Sequence, residues 1–341
     1  MSTQAPLYRP LELSWRTQYA ELKERSAAAG VLLPGTPGTL VRREGTGYAY
    51  WYRVYYPAPG QKVEQLVCKE GDNARLQDVE RALEFAQWSA TQVRNLRKLG
   101  FQVADKSAAS VLVALHNQNL LAAGLALVGT LGFMAWLNEL GAMAVAARTQ
   151  DIDLAARQPL KLAAPQSFLQ VLQSSRLDFT PVPGLAREPS TSAKLKGAEG
   201  LRVDLLVHGK VLGQPVPVPQ LDWHAQAVPF FDYLLDQPQR AALLAGGHCV
   251  PVWLPRPERL IWHKVYSSAA RRSFPEKAEK DLRQAATLAA VLVEQQDETL
   301  AESFRRLPAA MRKIVRIRLP ALRRALAAHP QTAEQFELVL R

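Results

Sequence analysis

The chain has 341 residues, 48% of them hydrophobic and 21% charged, the balance of an ordinary globular protein in which disorder is not expected, and its length predicts two or three domains, each able to bury a core. Its two cysteines, Cys68 and Cys249, lie far apart and lack Cys/His partner spacing, which argues against a disulfide framework and against a zinc site. The net charge of +11 predicts attraction to polyanions such as nucleotides, nucleic acid or anionic lipid.

In chain order, the opening Met1-Ser2-Thr3-Gln4 lacks the charged-then-apolar signature of a signal peptide, so a cytoplasmic protein is expected. Gly30 to Gly38 reads as loop. Tyr48 to Tyr56 is rich in strand formers, Pro57-Ala58-Pro59-Gly60 is turn chemistry, and Lys62 to Lys69 is a return strand, giving a hairpin. Leu76, Val79, Leu83, Ala86, Ala90 and Val93 then recur at helical spacing. The hairpin is aromatic and basic around Trp51 and Arg53. Such a surface suits stacking and phosphate contacts with nucleic acid, although plain packing of aromatics on a small sheet is the commoner arrangement. These elements form a first region, 1–105.

A second region, 106–220, opens with a helix over 107–119, a buried strand from Leu125 to Val128, the turn Gly129-Thr130, and a helix from about Gly132 to Leu140. No residue from Leu120 to Leu137 is charged, and a run of about eighteen apolar residues has the length of a membrane span. Three glycines and Thr130 interrupt it, so a buried strand, turn and helix are expected, without integral membrane association. A strand, small-residue turn and helix make an anion site, because free N–H groups and the positive helix end converge there. Taken alone, a Gly-Thr turn is common for steric reasons.

Downstream, Thr149-Gln150-Asp151-Ile152-Asp153-Leu154 places two carboxylates two residues apart, on one face if the segment is a strand. Such a pair suits hard cations, although the pattern also arises by chance. Leu201 to Val207 is a further strand with one central acid, Asp204, which is costly to bury unless a cation or donor meets it. A third region, 221–341, contains an apolar strand from about Pro251, then helices carrying Trp262-His263-Lys264, Arg271-Arg272 and Glu279-Lys280-Asp281. It ends in a basic stretch with Arg305, Arg306, Arg312, Lys313, Arg316, Arg318, Arg323 and Arg324. That stretch is either a solvated helix face or an anion-binding surface.

Leu127-Val128-Gly129-Thr130, Asp151-Ile152-Asp153-Leu154 and Val203-Asp204-Leu205, in this order, resemble the nucleotidyltransferase fold, also called the polymerase β-like superfamily. The region after the core is similar to that of stand-alone bacterial nucleotidyltransferases of the abortive-infection toxin type. The resemblance implies an α+β fold: a small mixed sheet flanked by helices, with an N-terminal hairpin and helix region and a helical C-terminal domain. It implies Asp151, Asp153 and Asp204 as catalytic ligands of two Mg²⁺ ions, and Gly129, Thr130 and Lys264 as contacts to the nucleotide phosphates. It implies nucleotidyl transfer from a nucleoside triphosphate, with RNA, a protein hydroxyl or a small molecule as acceptor, and no catalytic role for any histidine. The alternative is a catalytically weak nucleic-acid-binding or toxin-antitoxin-type regulator on the same fold.

Overall fold

The computed structural model describes residues 5–145, 149–157, 159–184, 188–197, 200–271, 273–295 and 299–340; Arg272 of the Arg271-Arg272 pair lies outside them. Arg9–Pro10 (β1) precedes a helix, Leu13–Ala28 (α1), which buries Tyr19, Leu22 and Ser26. Its apolar residues are too sparse to make a strong stripe, so the sequence gives little sign of it. The expected hairpin is a three-stranded antiparallel meander of Thr39–Gly45 (β2), Tyr48–Ala58 (β3) and Gln61–Lys69 (β4). The added strand carries Arg42, Arg43 and Glu44, charges that obscure it in sequence. They are satisfied laterally, Arg42 by Glu70 at 2.7 Å and Arg43 by Glu64 at 2.8 Å. The helix Asn73–Lys98 (α2) follows, its N-terminus capped by the Asp72 carboxylate, which accepts from the Arg75 N–H at 3.1 Å.

The central elements are Lys106–Asn117 (α3), Leu125–Leu127 (β5), Gly129–Glu139 (α4), Ala142–Met143 (β6, paired with β1), Asp151–Ala156 (β7) and Phe168–Ser174 (α5). Phe179–Pro181 (β8), Ser192–Leu195 (β9), Arg202–His208 (β10), Pro215–Val218 (β11), Trp223–Val228 (β12) and Phe231–Leu234 (α6) come next. Gln239–Ala245 (β13) and His248–Leu254 (β14) complete a mixed sheet ordered β11-β12-β10-β7-β5-β14-β13, with β9 also paired to β10 and β8 to β9. The protein is α+β, as the resemblance implies. The uncharged run supplies β5 and α4, whose residues are almost all buried, and among the described residues no helix is long and apolar enough to cross a membrane.

Five helices close the chain: Pro257–Ala270 (α7), Pro275–Glu294 (α8), Thr299–Arg305 (α9), Ala309–Ala325 (α10) and Pro330–Leu340 (α11). They are joined to the core around Trp262, which is fully buried, packs on Phe304 and Phe336, and donates its indole N–H to Ser303 Oγ at 2.8 Å. α10 buries Met311, Val315, Leu319 and Leu322 and turns Lys313, Arg316 and Arg324 to solvent.

Candidate active site

β7 and β10 run parallel, and their register sets Asp153 beside Asp204 and Asp151 beside Arg202. Ile152, Leu154, Val203 and Leu205 are fully buried on one face of the sheet, so the alternation of the strands directs the three acids to the other. The end of β5 closes on the same spot. Val128 N–H donates to the Asp153 carbonyl at 3.0 Å, and the next residue, Gly129, has φ of +63° and begins α4. A Cβ at Gly129 would run into the Asp153 carboxylate, so the glycine is required both by its backbone angle and by the acid beside it. Gly132 is the first residue of α4 to bond back, to Val128 O at 3.1 Å, which leaves the preceding N–H groups at the free, positive end of the helix. Thr130 is buried at this end and lines the same cleft.

The cleft holds about 370 Å³. Asp151, Asp153 and Asp204 line it from the sheet; Lys264 on α7, Arg271 just after it, and Lys280 and Asp281 on α8 line it from the helices. Lys264 is buried at 4% exposure, not a surface lysine, and its Nζ stands 3.2 Å from Asp281 Oδ1, while Arg271 Nη1 stands 2.9 Å from Asp281 Oδ2. One acid thus organises two cations. Burial lowers the Lys280 pKa, so this lysine too is partly stripped of water. His263 is pushed down to about 4 by burial and is neutral at pH 7, packed edge-on against Phe231. His208 is exposed and 3.2 Å from Asp232.

On the acidic wall, burial raises the Asp153 pKa to about 6, and the charges of Asp204 and then Asp151 push the same way. Asp204 accepts from Arg202 Nε at 2.7 Å and from the Ser192 hydroxyl, and Arg202 also donates to Ser192 Oγ at 2.7 Å. Among the described residues no group of three or more His, Cys, Asp and Glu side chains stands ready-made to hold a metal ion, in keeping with this engagement of Asp204 by Arg202 and Ser192. The acids nevertheless fit a hard divalent cation. They offer only oxygen donors, and Asp153 is held between two like charges that a cation would relieve.

The sequence names Asp151, Asp153, Asp204, Gly129, Thr130 and Lys264, and all six line this cleft. Arg202, Ser192 and Asp281, which engage these residues, are not among those the sequence points to. Arg202 had a signal in its spacing, two residues before Asp204 on a strand. Arg271 lies seven residues after Lys264, two helical turns along one face. Asp281 and Ser192 had no local signal.

An apolar strand ending in a glycine at a helix start, a strand with alternating acids and a third acid on the neighbouring strand are the features in which the chain resembles the nucleotidyltransferase fold. The sequence profile described as "Nucleotidyltransferase" matches residues 106–308, more than half of the chain, and the protein belongs to that family. It is a nucleotidyltransferase. The curated proteins contain none that matches it. A solved structure, the crystal structure of an antigenic nucleotidyltransferase-like protein from Paracoccidioides brasiliensis, is similar at 17% identity over 58% of this chain and 90% of that one, with a TM-score of 0.31. Family membership rests on the profile match and not on this distant likeness.

Proposed function

We propose that the protein transfers a nucleotidyl group from a nucleoside triphosphate to an acceptor hydroxyl, with Asp151, Asp153 and Asp204 holding Mg²⁺. The observation that carries this reading is the convergence of both signs of charge on one cleft: three carboxylates and Lys264, Arg271 and Lys280 line it together with Gly129 and Thr130 at the start of α4. A metal-free phosphate would be repelled by the acidic wall, and a bare cation by the basic one. A metal-bound triphosphate satisfies both.

Gly129 and Thr130 present N–H groups to the phosphates at the start of α4, and Lys264 and Arg271 supply charge from the other side. Divalent cations bound at the carboxylates would supply neutralisation of the triphosphate and acidification of the attacking hydroxyl. The neutral His263 and the aromatic rings of Phe231 and Tyr266 add apolar surface to the lining of the cleft, which favours exclusion of water from the reacting groups.

The acceptor we favour is RNA. Exposed Lys313, Arg316 and Arg324 lie along α10, and its Arg318 donates to Ser268 Oγ at 3.3 Å, one residue from the cleft-lining Ser267. The meander contributes less than its sequence suggests, because Arg53 is buried and committed to backbone carbonyls. The test is incubation with each α-labelled triphosphate, Mg²⁺ and cell extract, followed by separation of RNA, protein and small molecules. Label in one fraction, lost with Asp153→Asn, is expected; no transfer with any triphosphate overturns the reading.

A further inference from the structure

A second pocket of about 310 Å³ lies where α2, α3, the loop 35–37 and the β13–β14 turn meet, and it shares no lining residue with the cleft. β14 begins at this pocket, and the loop after its seven residues leads to α7, so the two cavities lie at opposite ends of a strand about 20 Å long. Three cations, Arg94, Arg97 and Lys106, line it, and among the described residues no Asp or Glu does. Among the described residues none of the three makes an ion pair. The contrast with the nearby meander is informative, since Arg42, Arg43 and Lys62 each have a glutamate within 2.8 Å.

The walls are fixed in advance. Arg53, fully buried, donates from Nε to Pro37 O at 2.9 Å and from Nη2 to Pro34 O at 2.8 Å and Thr36 O at 2.6 Å, which pins the loop. Burying a guanidinium in this way is costly, and two of the carbonyls it serves, those of Thr36 and Pro37, belong to residues that line the pocket. His248 ties the β13–β14 turn to the same loop through Leu33 O at 2.9 Å. The floor is made of small residues: a Cβ at Gly246 would meet Ala109 at 3.0 Å and one at Gly247 would meet Ala90 at 3.2 Å. Tyr56, 45% exposed, stands at the rim.

We propose that this pocket binds a nucleoside monophosphate, or the same unit at the phosphorylated end of an RNA strand, without a metal ion. The phosphate meets Arg94, Arg97 and Lys106, and the flat base lies over the Ala90, Ala109 and Gly247 floor against Tyr56. The absence of any lining carboxylate among the described residues sets the metal requirement: the catalytic cleft takes its anion with a cation, and this pocket takes one without.

The test is calorimetric titration of the protein with AMP in EDTA. Saturable one-to-one binding is expected, weakened at least tenfold in the double variant Arg94→Ala/Arg97→Ala and unchanged in Asp153→Asn. Both arginines are exposed on α2, so the double variant keeps the fold. Ala86→Phe, which fills the pocket without altering charge, should block binding equally. A 5′-phosphorylated oligonucleotide that displaces AMP supports the strand end as ligand; failure to displace supports the free nucleotide. No saturable binding in EDTA, undiminished binding in both pocket variants, or loss of binding in Asp153→Asn overturns the proposal. Because these readouts need neither Mg²⁺ nor turnover, their failure leaves the catalytic reading untouched, and the failure of catalysis leaves this pocket standing.

Discussion

The two walls of the catalytic cleft are held in place by different means. On the sheet wall, Asp151, Asp153 and Asp204 are positioned by the hydrogen-bond ladder between β7 and β10, and by Gly129, which leaves no room for any side chain of its own beside Asp153. On the helical wall, Lys264 and Arg271 are positioned by each other's partner, Asp281. Backbone register cannot adapt when a ligand enters; an ion-pair lattice can. The acids are therefore expected to act as a rigid template, and the cations as groups that exchange Asp281 for phosphate when the nucleotide arrives.

The largest effect should come from the template. Asp153→Asn is expected to lower transfer by about 10³-fold or more, as expected for loss of a central ligand in a metal-assisted displacement. The same variant should gain stability. Folding raises the Asp153 pKa from the usual 3.8 to about 6, so the folded chain favours the protonated form, and stability is lost as pH rises from about 4 through 6. Asparagine mimics that protonated form. Without divalent cation the variant should be more stable than wild type above pH 6 by up to about 3 kcal/mol, a difference that vanishes below about pH 4. Urea titrations of both proteins at pH 4 and pH 7.5 read this directly; the same difference between them at both pH values would mean that burial and the neighbouring acids do not raise the Asp153 pKa.

The lattice should show a different signature. Asp281→Ala strands Lys264, a cation at 4% exposure, and is expected to destabilise the fold by about 3 kcal/mol or more. Lys264→Ala leaves Asp281 its pairing with Arg271 and should instead act mainly on ligand, weakening triphosphate binding by about 1–3 kcal/mol. If Asp281→Ala unfolds at wild-type urea concentration, the helical wall does not depend on its acid and the contrast between the walls fails. An unchanged triphosphate Kd for Lys264→Ala would remove that lysine from the phosphate site.

The sheet wall was the more legible in sequence, for a physical reason. Alternation along a strand is a local property, so Asp151, Asp153 and Asp204 announce a common face within a few residues, and Gly129 marks the strand-to-helix turn. The pairing of Arg202 and Ser192 with Asp204 depends on β9 lying beside β10, a long-range fact. Asp281 reads in sequence as one charge on a polar helix face, because its partners come from another helix. Arg53 settles the choice the sequence leaves open, in favour of packing. An arginine among aromatic residues reads as a surface for nucleic acid, yet three carbonyls of the preceding loop take up its guanidinium, and burial lowers its pKa to about 10.

The smallest expected effect concerns the acceptor. If RNA is that acceptor, α10 is the surface to test, since it packs its apolar stripe against the core and presents Lys313, Arg316 and Arg324 outward. Removing the C-terminal helices would be the wrong test, because Phe304 and Phe336 complete the packing around Trp262 and truncation would confound binding with unfolding. Replacing Lys313, Arg316 and Arg324 with alanine keeps that packing. Each phosphate contact to a single strand contributes about 0.7 to the slope of log affinity against log salt, so losing three should make the slope shallower by about two units. Thermal stability should change little, because these are solvated side chains on a helix face. The measurement is RNA affinity over a salt series for wild type and the triple variant. A flat series for wild type, or identical slopes for the two proteins, would move the acceptor away from RNA and toward a protein hydroxyl or a small molecule, whose contacts would be few and only weakly sensitive to salt.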